Sequence, residues 1–293
     1  MSTVDAEANF SKWHGLGNDY IIVAARDLPF KLTPERTIVI CDRHFGIGSD
    51  GVLLWSGDEA SGFSLEIHNP DGSMAALSGN GMRMLAKYLY QNGFAKDASL
   101  TVSTSAGVIK PTVQPDGQVR VFMGNARLGG RGIAGYEGAA DQSEAVGVRL
   151  EAAGEEFSFT FVDMGNPHCV IETADLAAVE MERLGPALEN HHLFTNRANV
   201  EFVKVTGPAE VSMRVWERGV GETSACGTGA CAVAVAACRA GSVKTPVTVH
   251  LPGGDLLIEV HPDLGVHMTG PAEETYNGVM SKEFVNRIME LQE

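Results

Sequence analysis

Two stretches 148 positions apart constrain this chain more than any other feature. Ser78-Gly79-Asn80-Gly81 and Cys226-Gly227-Thr228-Gly229 each set a small polar side chain before Gly-x-Gly, and each leads into a helical run. The first run is Met82 to Leu89 and the second Ala230 to Ala237. A residue in that place stands at a helix N-terminus, where unpaired backbone N–H groups and the helix dipole favour an anion. A thiol there is expected to lose its proton near neutral pH. A chain of 293 residues has room for two domains of about 150 residues each. The paired starts therefore predict a duplicated architecture, with one helix N-terminus from each half meeting across a cleft.

Apolar alternation predicts strands over 64–68, 100–113, 119–123, 157–163, 200–205, 210–216 and 247–260. Helices are expected over 33–42, 81–92, 176–188, 229–240 and 281–293, the first with Thr33 as cap and Pro34 in its opening turn. Strands outnumber helices and hairpins outnumber β-α-β units, so the fold class is α+β with largely antiparallel sheets. The Gly/Ala-rich stretch Gly124 to Gly147 reads as a loop and an inter-domain connection. On either side of it, strands lead to an Asn-Pro pair (Asn69-Pro70, Asn166-Pro167) and then to one of the two helices.

Bulk properties remove several functions. A formal charge of −15 disfavours nucleic acid, whose phosphates want a basic face. No apolar run approaches the roughly 20 residues of a membrane helix. Met1 to Phe10 is polar and acidic, without the basic and apolar regions of a secretory signal. Five cysteines (Cys41, Cys169, Cys226, Cys231, Cys238) form an odd set with no C-x-x-C pair, so neither a disulfide scaffold nor a metal site is expected. A cytoplasmic location follows as an expectation, and Cys231 and Cys238 read as small core residues of their helix.

Seven motifs, the first Gly-x-Gly among them, occur in order: His14-Gly15-Leu16-Gly17-Asn18-Asp19-Tyr20, Asp42-Arg43-His44-Phe45-Gly46-Ile47-Gly48-Ser49-Asp50-Gly51, Asn69-Pro70-Asp71-Gly72-Ser73, Gly79-Asn80-Gly81, Met164-Gly165-Asn166-Pro167-His168, Asn199-Val200-Glu201-Phe202 and Glu217-Arg218-Gly219-Val220-Gly221-Glu222-Thr223. In these the chain resembles diaminopimelate epimerases along nearly its whole length. The resemblance implies two pseudo-symmetric domains, 1–126 with 275–293 and 127–274, each a mostly antiparallel sheet wrapped around a central helix. It implies a cofactor-independent enzyme, homodimeric as the family usually is, that converts LL-2,6-diaminopimelate to the meso form for lysine and peptidoglycan synthesis. Inverting an α-carbon without a cofactor needs an acid and a base on opposite faces, and preorganised donors for the developing carbanion.

The resemblance places the acid/base pair at Cys226 and Ser78, with His168 and Glu217 tuning protonation. It places Gly79, Asn80, Gly227 and Thr228 on the reacting carboxylate. Asn18, Asn69, Asn166, Asn199, Glu217 and Arg218 match substrate contacts, Arg218 as the bidentate partner of the distal carboxylate. Ser78 departs from the family, which has cysteine there, and a hydroxyl is a far weaker acid than a thiol. Three readings stay open. The serine is a replacement that leaves a substrate trap; it works with an activating partner such as His68 or His44, or with a water; or the chain does one-base chemistry or only binds. A different amino-acid racemase or a dehydratase of the same fold is the alternative enzyme. Trp13 and Gly51 are milder departures that bear on pocket shape.

Overall fold

The computed structural model describes residues 8–130, 132–135 and 144–291. Most of the N-terminal stretch expected to be polar, part of the expected 124–147 loop and the end of the expected last helix lie outside the described residues. The chain divides into two units, Met1–Val121 with Gly270–Glu293, and Phe122–Thr269.

The first unit opens with β1 (Asn9–Gly15), β2 (Asn18–Ala24) and α1 (Pro34–Cys41), followed by β3 (Val52–Asp58), β4 (Gly62–His68) and β5 (Met74–Ala75). Next come α2 (Gly79–Gln91), β6 (Val102–Thr104), β7 (Gly107–Ile109) and β8 (Thr112–Val113). β9 (Val119–Asn125) carries the chain into the second unit. That unit holds β10 (Val148–Ala152), β11 (Glu155–Asp163), β12 (Pro167–Glu172), α3 (Met181–Glu189), β13 (Asn199–Gly207), β14 (Glu210–Glu217) and β15 (Gly221–Thr223). It continues with α4 (Gly227–Arg239), β16 (Val247–Leu251), β17 (Gly254–Val260) and β18 (Gly265–Gly270). β19 (Glu273–Val279) and α5 (Lys282–Met289) return the chain to the first unit.

The first sheet runs β19-β1-β2-β3-β4-β6-β7 with β5 on β4; the second runs β10-β11-β12-β13-β14-β16-β17-β18 and on through β9, with β15 on β14. Pair for pair they repeat. β2 and β3 are parallel, as are β12 and β13. β4 and β6 are parallel, as are β14 and β16, and the pairs between them are antiparallel. Parallel neighbours need a crossover long enough to return the chain, usually a helix. α1 and α3 lie in the first crossover of each unit, and α2 and α4 in the second. The fold is thus α+β and built twice over.

This order corrects the expected repeat in one respect. Asn69-Pro70 follows β4, whereas Asn166-Pro167 leads β12. The counterpart of Asn166 is Asn18 at the head of β2, and that of Asn69 is Glu217 at the end of β14; each pair is 148 positions apart. Asn69-Pro70 belongs to a turn, closed by the Gly72 N–H on the Asn69 carbonyl at 3.0 Å with Gly72 at φ +85°.

Both crossover helices of the repeat are buried. In α4, Gly227 and every residue from Gly229 to Ala237 are buried, the condition of a helix apolar on all sides. In α2 the buried stretch runs from Gly79 to Ala86, with Leu89. Cys231 is buried as expected, but Cys238 reaches the surface in part. Phe159, Phe161, Phe194, Phe202, Met181 and Leu188 form a core beside α3, and Ile21, Ile40, Val52, Val285 and Ile288 form one in the first unit.

The expected strand over 100–113 is three short ones, because Thr104 to Gly107 makes a turn with Gly107 at φ +112° and Pro111 removes a donor. The 247–260 stretch is a hairpin of β16 and β17. The helix expected from Leu176 starts only at Met181, since Arg214 takes the Leu176 and Val179 carbonyls at 2.8 and 3.0 Å. The described parts of 124–147 are more than a connection: Arg127 bridges to Asp163, Ile133 bridges to Phe194, and Leu128, Ile133 and Ala145 are buried. No helix among the described residues is long and apolar enough to cross a membrane.

Gly185 lies inside α3, where alanine would ordinarily favour the helix by up to about 1 kcal/mol. A Cβ there would lie 2.4 Å from Trp216 Cδ2, so packing reverses the sign. Gly185→Ala is expected to destabilise the protein by about 1–3 kcal/mol in urea unfolding, while a neutral or stabilising result would show that Trp216 can yield.

Candidate active site

Ser78 is the N-cap of α2, and its Oγ accepts the Gly81 N–H at 3.0 Å. The following residues form one polar chain. Asn80, buried in the first turn, donates through Nδ2 to Asn18 Oδ1 at 3.0 Å. Asn80 Oδ1 accepts from the fully buried Arg83 at 2.9 Å, and Asn18 Nδ2 donates to Asp50 Oδ2 at 3.0 Å. Asp50 also accepts the Asp19 N–H, and Arg43 bridges Asp50 and Asp19 at 2.6 and 2.7 Å. The head of β2 is thus tied to the first turn of α2. Asn69 holds its own turn, donating to Ser73 Oγ at 3.0 Å.

The two histidines proposed as activators of Ser78 are placed otherwise. His68 is buried with Nε2 at 3.2 Å from Glu66 Oε2, and His44 is exposed; among the described residues neither is a hydrogen-bond partner of Ser78. The serine oxygen already serves as a helix cap, which leaves its O–H able to donate.

The second unit repeats the strap with different chemistry. Cys226 is the N-cap of α4, and the Gly229 N–H faces its sulfur without closing a capping hydrogen bond. Asn166, counterpart of Asn18, donates through Nδ2 to Thr228 Oγ1 at 3.3 Å, and Thr228 is the counterpart of Asn80. Thr228 Oγ1 lies 3.6 Å from Cys226 Sγ. Having accepted from Asn166, the hydroxyl is free to donate to the sulfur. Asn166 Oδ1 in turn accepts from His168 Nε2 at 3.0 Å.

His168 Nδ1 lies 2.6 Å from Glu201 Oε1, and both side chains are wholly buried. Since Nε2 is the donor toward Asn166, one proton must be shared between Nδ1 and the carboxylate. Histidine and glutamate therefore form a proton-sharing pair sealed from solvent. Glu201 also crowds the helix end: a Cβ on Gly229 would stand 2.8 Å from its Oε1 and 3.3 Å from Cys226 Sγ. Glycine at that position is a steric requirement.

Glu217 ends β14, takes a hydrogen bond from the Thr223 hydroxyl of β15, and interacts with the Cys226 thiol. Burial pushes its carboxyl up, partly offset by Thr223 and Cys226. Cys226 moves further the same way. Burial first, then the charges of Glu217 and Glu201, hold the thiol well above its usual range, against the opposing pull of the Gly229 N–H and Thr228. The expectation that the helix end would release this proton near neutral pH is corrected: burial first, with two nearby carboxylates added to it, outweighs the helix end.

Asn199 is buried and structural in its contacts, with Nδ2 on the Pro167 carbonyl at 3.0 Å and Oδ1 accepting the Arg218 N–H at 2.9 Å. Arg218 Nη1 donates to the Asn196 carbonyl at 2.9 Å. The structure thus gathers Asn166, His168, Glu217 and Thr228 about the Cys226 thiol, with Arg218 on the adjoining turn and Asn199 at the head of β13. Asn18 and Asn80 join in the other unit. Glu201 and Asp50 were not singled out from sequence. Glu201 had a signal: a carboxylate among the apolar residues of Val200 to Val203, on a strand otherwise reading as core.

If the carboxylates hold the proton on Cys226, its reaction with iodoacetamide should set in above the pH of an ordinary thiol, about 8.5. Glu217→Gln removes a negative neighbour and should move that onset to lower pH. Peptide-mapped alkylation across pH measures it, and an unmoved profile would free Glu217 from this role.

Comparison with known proteins bears on the whole chain. The family model for diaminopimelate epimerase matches residues 10–129 and 160–275. A diaminopimelate epimerase of Pelotomaculum thermopropionicum is 46% identical over 278 residues, covering 92% of this chain and 98% of that protein. Diaminopimelate epimerase 1 of a Nostoc species is 44% identical over 274 residues, covering 92% and 98%. Among solved structures, a PhzF-family phenazine biosynthesis protein of Bacillus anthracis superposes with a TM-score of 0.68 at 16% identity, over 94% of this chain and 99% of its own. A hydroxyproline epimerase of Agrobacterium vitis gives 0.67 at 15%, over 96% and 92%. At those identities the structures speak for the fold alone.

Proposed function

The chain belongs to the diaminopimelate epimerase family and is an isomerase that converts LL- to meso-2,6-diaminopimelate; we propose that it does so by two-base proton transfer without a cofactor. The observation that carries this mechanism is the thiol of Cys226 at the buried N-terminus of α4, in reach of the Thr228 hydroxyl, its protonated form favoured first by burial and then by Glu217 and Glu201. A protonated thiol beside the α-carbon returns a proton to one face. Once it has done so, the thiolate is the base for the reverse direction, and the N–H groups at the start of α4 favour that anion. Gly227 and Thr228 on one helix, and Gly79 and Asn80 on the other, are assigned to the carboxylate on which carbanion charge develops. Asn18, Asn69, Asn166, Asn199, Glu217 and Arg218 are assigned to the remaining substrate groups.

Ser78 takes the second acid/base position in this scheme. Its oxygen accepts the Gly81 N–H, so it is better fitted to give a proton than to remove one. The two faces of the α-carbon are then unequally served: removal of the α-proton falls to Cys226 as the thiolate, which becomes the thiol, exchanges its proton with solvent and returns one to the same face, so exchange there should outrun inversion. In D₂O, α-deuterium should enter diaminopimelate faster than the centre inverts. Ser78→Cys should raise inversion by about 100-fold or more, the usual weight of a positioned acid/base. Cys226→Ala should abolish exchange altogether. Exchange by Cys226→Ala at the unaltered rate would remove Cys226 from the mechanism. Elimination product in place of inversion would favour the dehydratase reading.

The enzyme is further proposed to act in the cytoplasm, in lysine and peptidoglycan precursor synthesis, and as a homodimer. Light scattering should give twice the 31.1 kDa of one chain; a mass of one chain at working concentration would exclude the dimer.

A further inference from the structure

Glu189 ends α3 and is not among the residues assigned to the substrate, yet its side chain is almost wholly buried and accepts three donors. Arg197 Nη1 and the Gly219 N–H reach Oε1 at 2.8 and 2.9 Å, and Trp216 Nε1 reaches Oε2 at 2.9 Å. Two of the three come from the segment Trp216 to Gly219 that carries Glu217 and Arg218. That segment closes as a turn, with the Val220 N–H on the Glu217 carbonyl at 3.0 Å and Gly219 at φ +78°. Its inner N–H groups are all taken: Arg218 by Asn199, Gly219 by Glu189 and Val220 by Glu217. The third donor, Arg197, lies two residues before Asn199, and the Ala198 N–H bonds the Glu189 carbonyl at 3.1 Å. One residue thus grips both strand ends from which Asn199 and Arg218 project.

We propose that Glu189 is the positioning residue that sets Arg218 for the distal carboxylate of the substrate, and so determines selectivity for a dicarboxylic amino acid over one without the second carboxylate. The inference rests on the assignment of Arg218 to that carboxylate. A carboxylate is needed because it is acceptor-only: all three groups facing it are donors. Glutamine at 189 would keep one acceptor oxygen but turn an N–H toward either Trp216 or the Arg197–Gly219 pair. Aspartate would keep the charge and withdraw it by one methylene from partners already at bonding distance. Glu217 has an anchor of its own in Thr223, so the disturbance should fall on Arg218 first.

The test follows α-deuterium exchange into diaminopimelate and into L-lysine, which shares the amino-acid end but lacks the distal carboxylate. Glu189→Gln should raise KM for diaminopimelate roughly tenfold with a smaller change in kcat, the mark of lost substrate binding rather than lost chemistry, while leaving exchange into L-lysine as it was. Trp216→Phe, which removes a single bond to Oε2 and keeps an aromatic ring against Gly185, should shift KM in the same direction by less; it decides the question if Glu189→Gln does not fold. Equal loss with both substrates would mean a general structural role and overturn the proposal. If Arg218→Ala raises KM for diaminopimelate but neither Glu189→Gln nor Trp216→Phe does, the proposal falls and the Arg218 assignment stands. If Arg218→Ala itself leaves KM unchanged, both fall.

Discussion

A helix that begins inside a sheet-lined core presents backbone N–H groups that nothing within the helix can satisfy. Two such beginnings anchor matching polar straps, one in each unit. In each unit the asparagine at the head of β2 or β12, Asn18 or Asn166, is tied to the second residue of the buried helix, Asn80 or Thr228. The strap is the same and its continuation differs. From Asn18 it runs outward to Asp50, Arg43 and Asp19, a charged network open to solvent at Arg43. From Asn166 it runs inward to His168 and Glu201, both wholly buried. One helix start is thus held by surface charge, and the other by a buried histidine–glutamate pair next to a thiol.

That difference governs proton chemistry. Dipole and capping arguments alone place a low-pKa thiol at the start of α4, and they fail because they leave out the neighbours. Cys226 has Glu217 beside it, Glu201 behind Gly229, and little water around it. A like charge in a dry site costs the thiolate more than a helix end returns. The same features suit a group that must hold its proton until substrate arrives.

Much of this was legible in the residues. The twin Gly-x-Gly helix starts announced the duplication, and alternating apolar runs located most strands of the second unit. The residues assigned to the substrate rest on motif resemblance, because a lone asparagine before proline is as easily a turn, and Asn69 does make one. What could not be read was pairing: that Asn18 answers to Asn166, and Asn69 to Glu217, depends on strand order, and the two Asn-Pro dipeptides pointed the wrong way. Glu201, Asp50 and Glu189 were overlooked for a related reason. A carboxylate's meaning lies in which donors reach it across the fold, and Glu189 draws its donors from residues up to 30 positions away.

The return of β19 to lie against β1 has a consequence for synthesis of the chain. The second unit is one uninterrupted stretch and can be completed as soon as it leaves the ribosome. The first unit cannot: its sheet lacks the strand that pairs along β1, and its core lacks Val285 and Ile288, until the last two dozen residues have emerged. The half that is made first is therefore finished last, and for most of translation its first strand waits with an open edge.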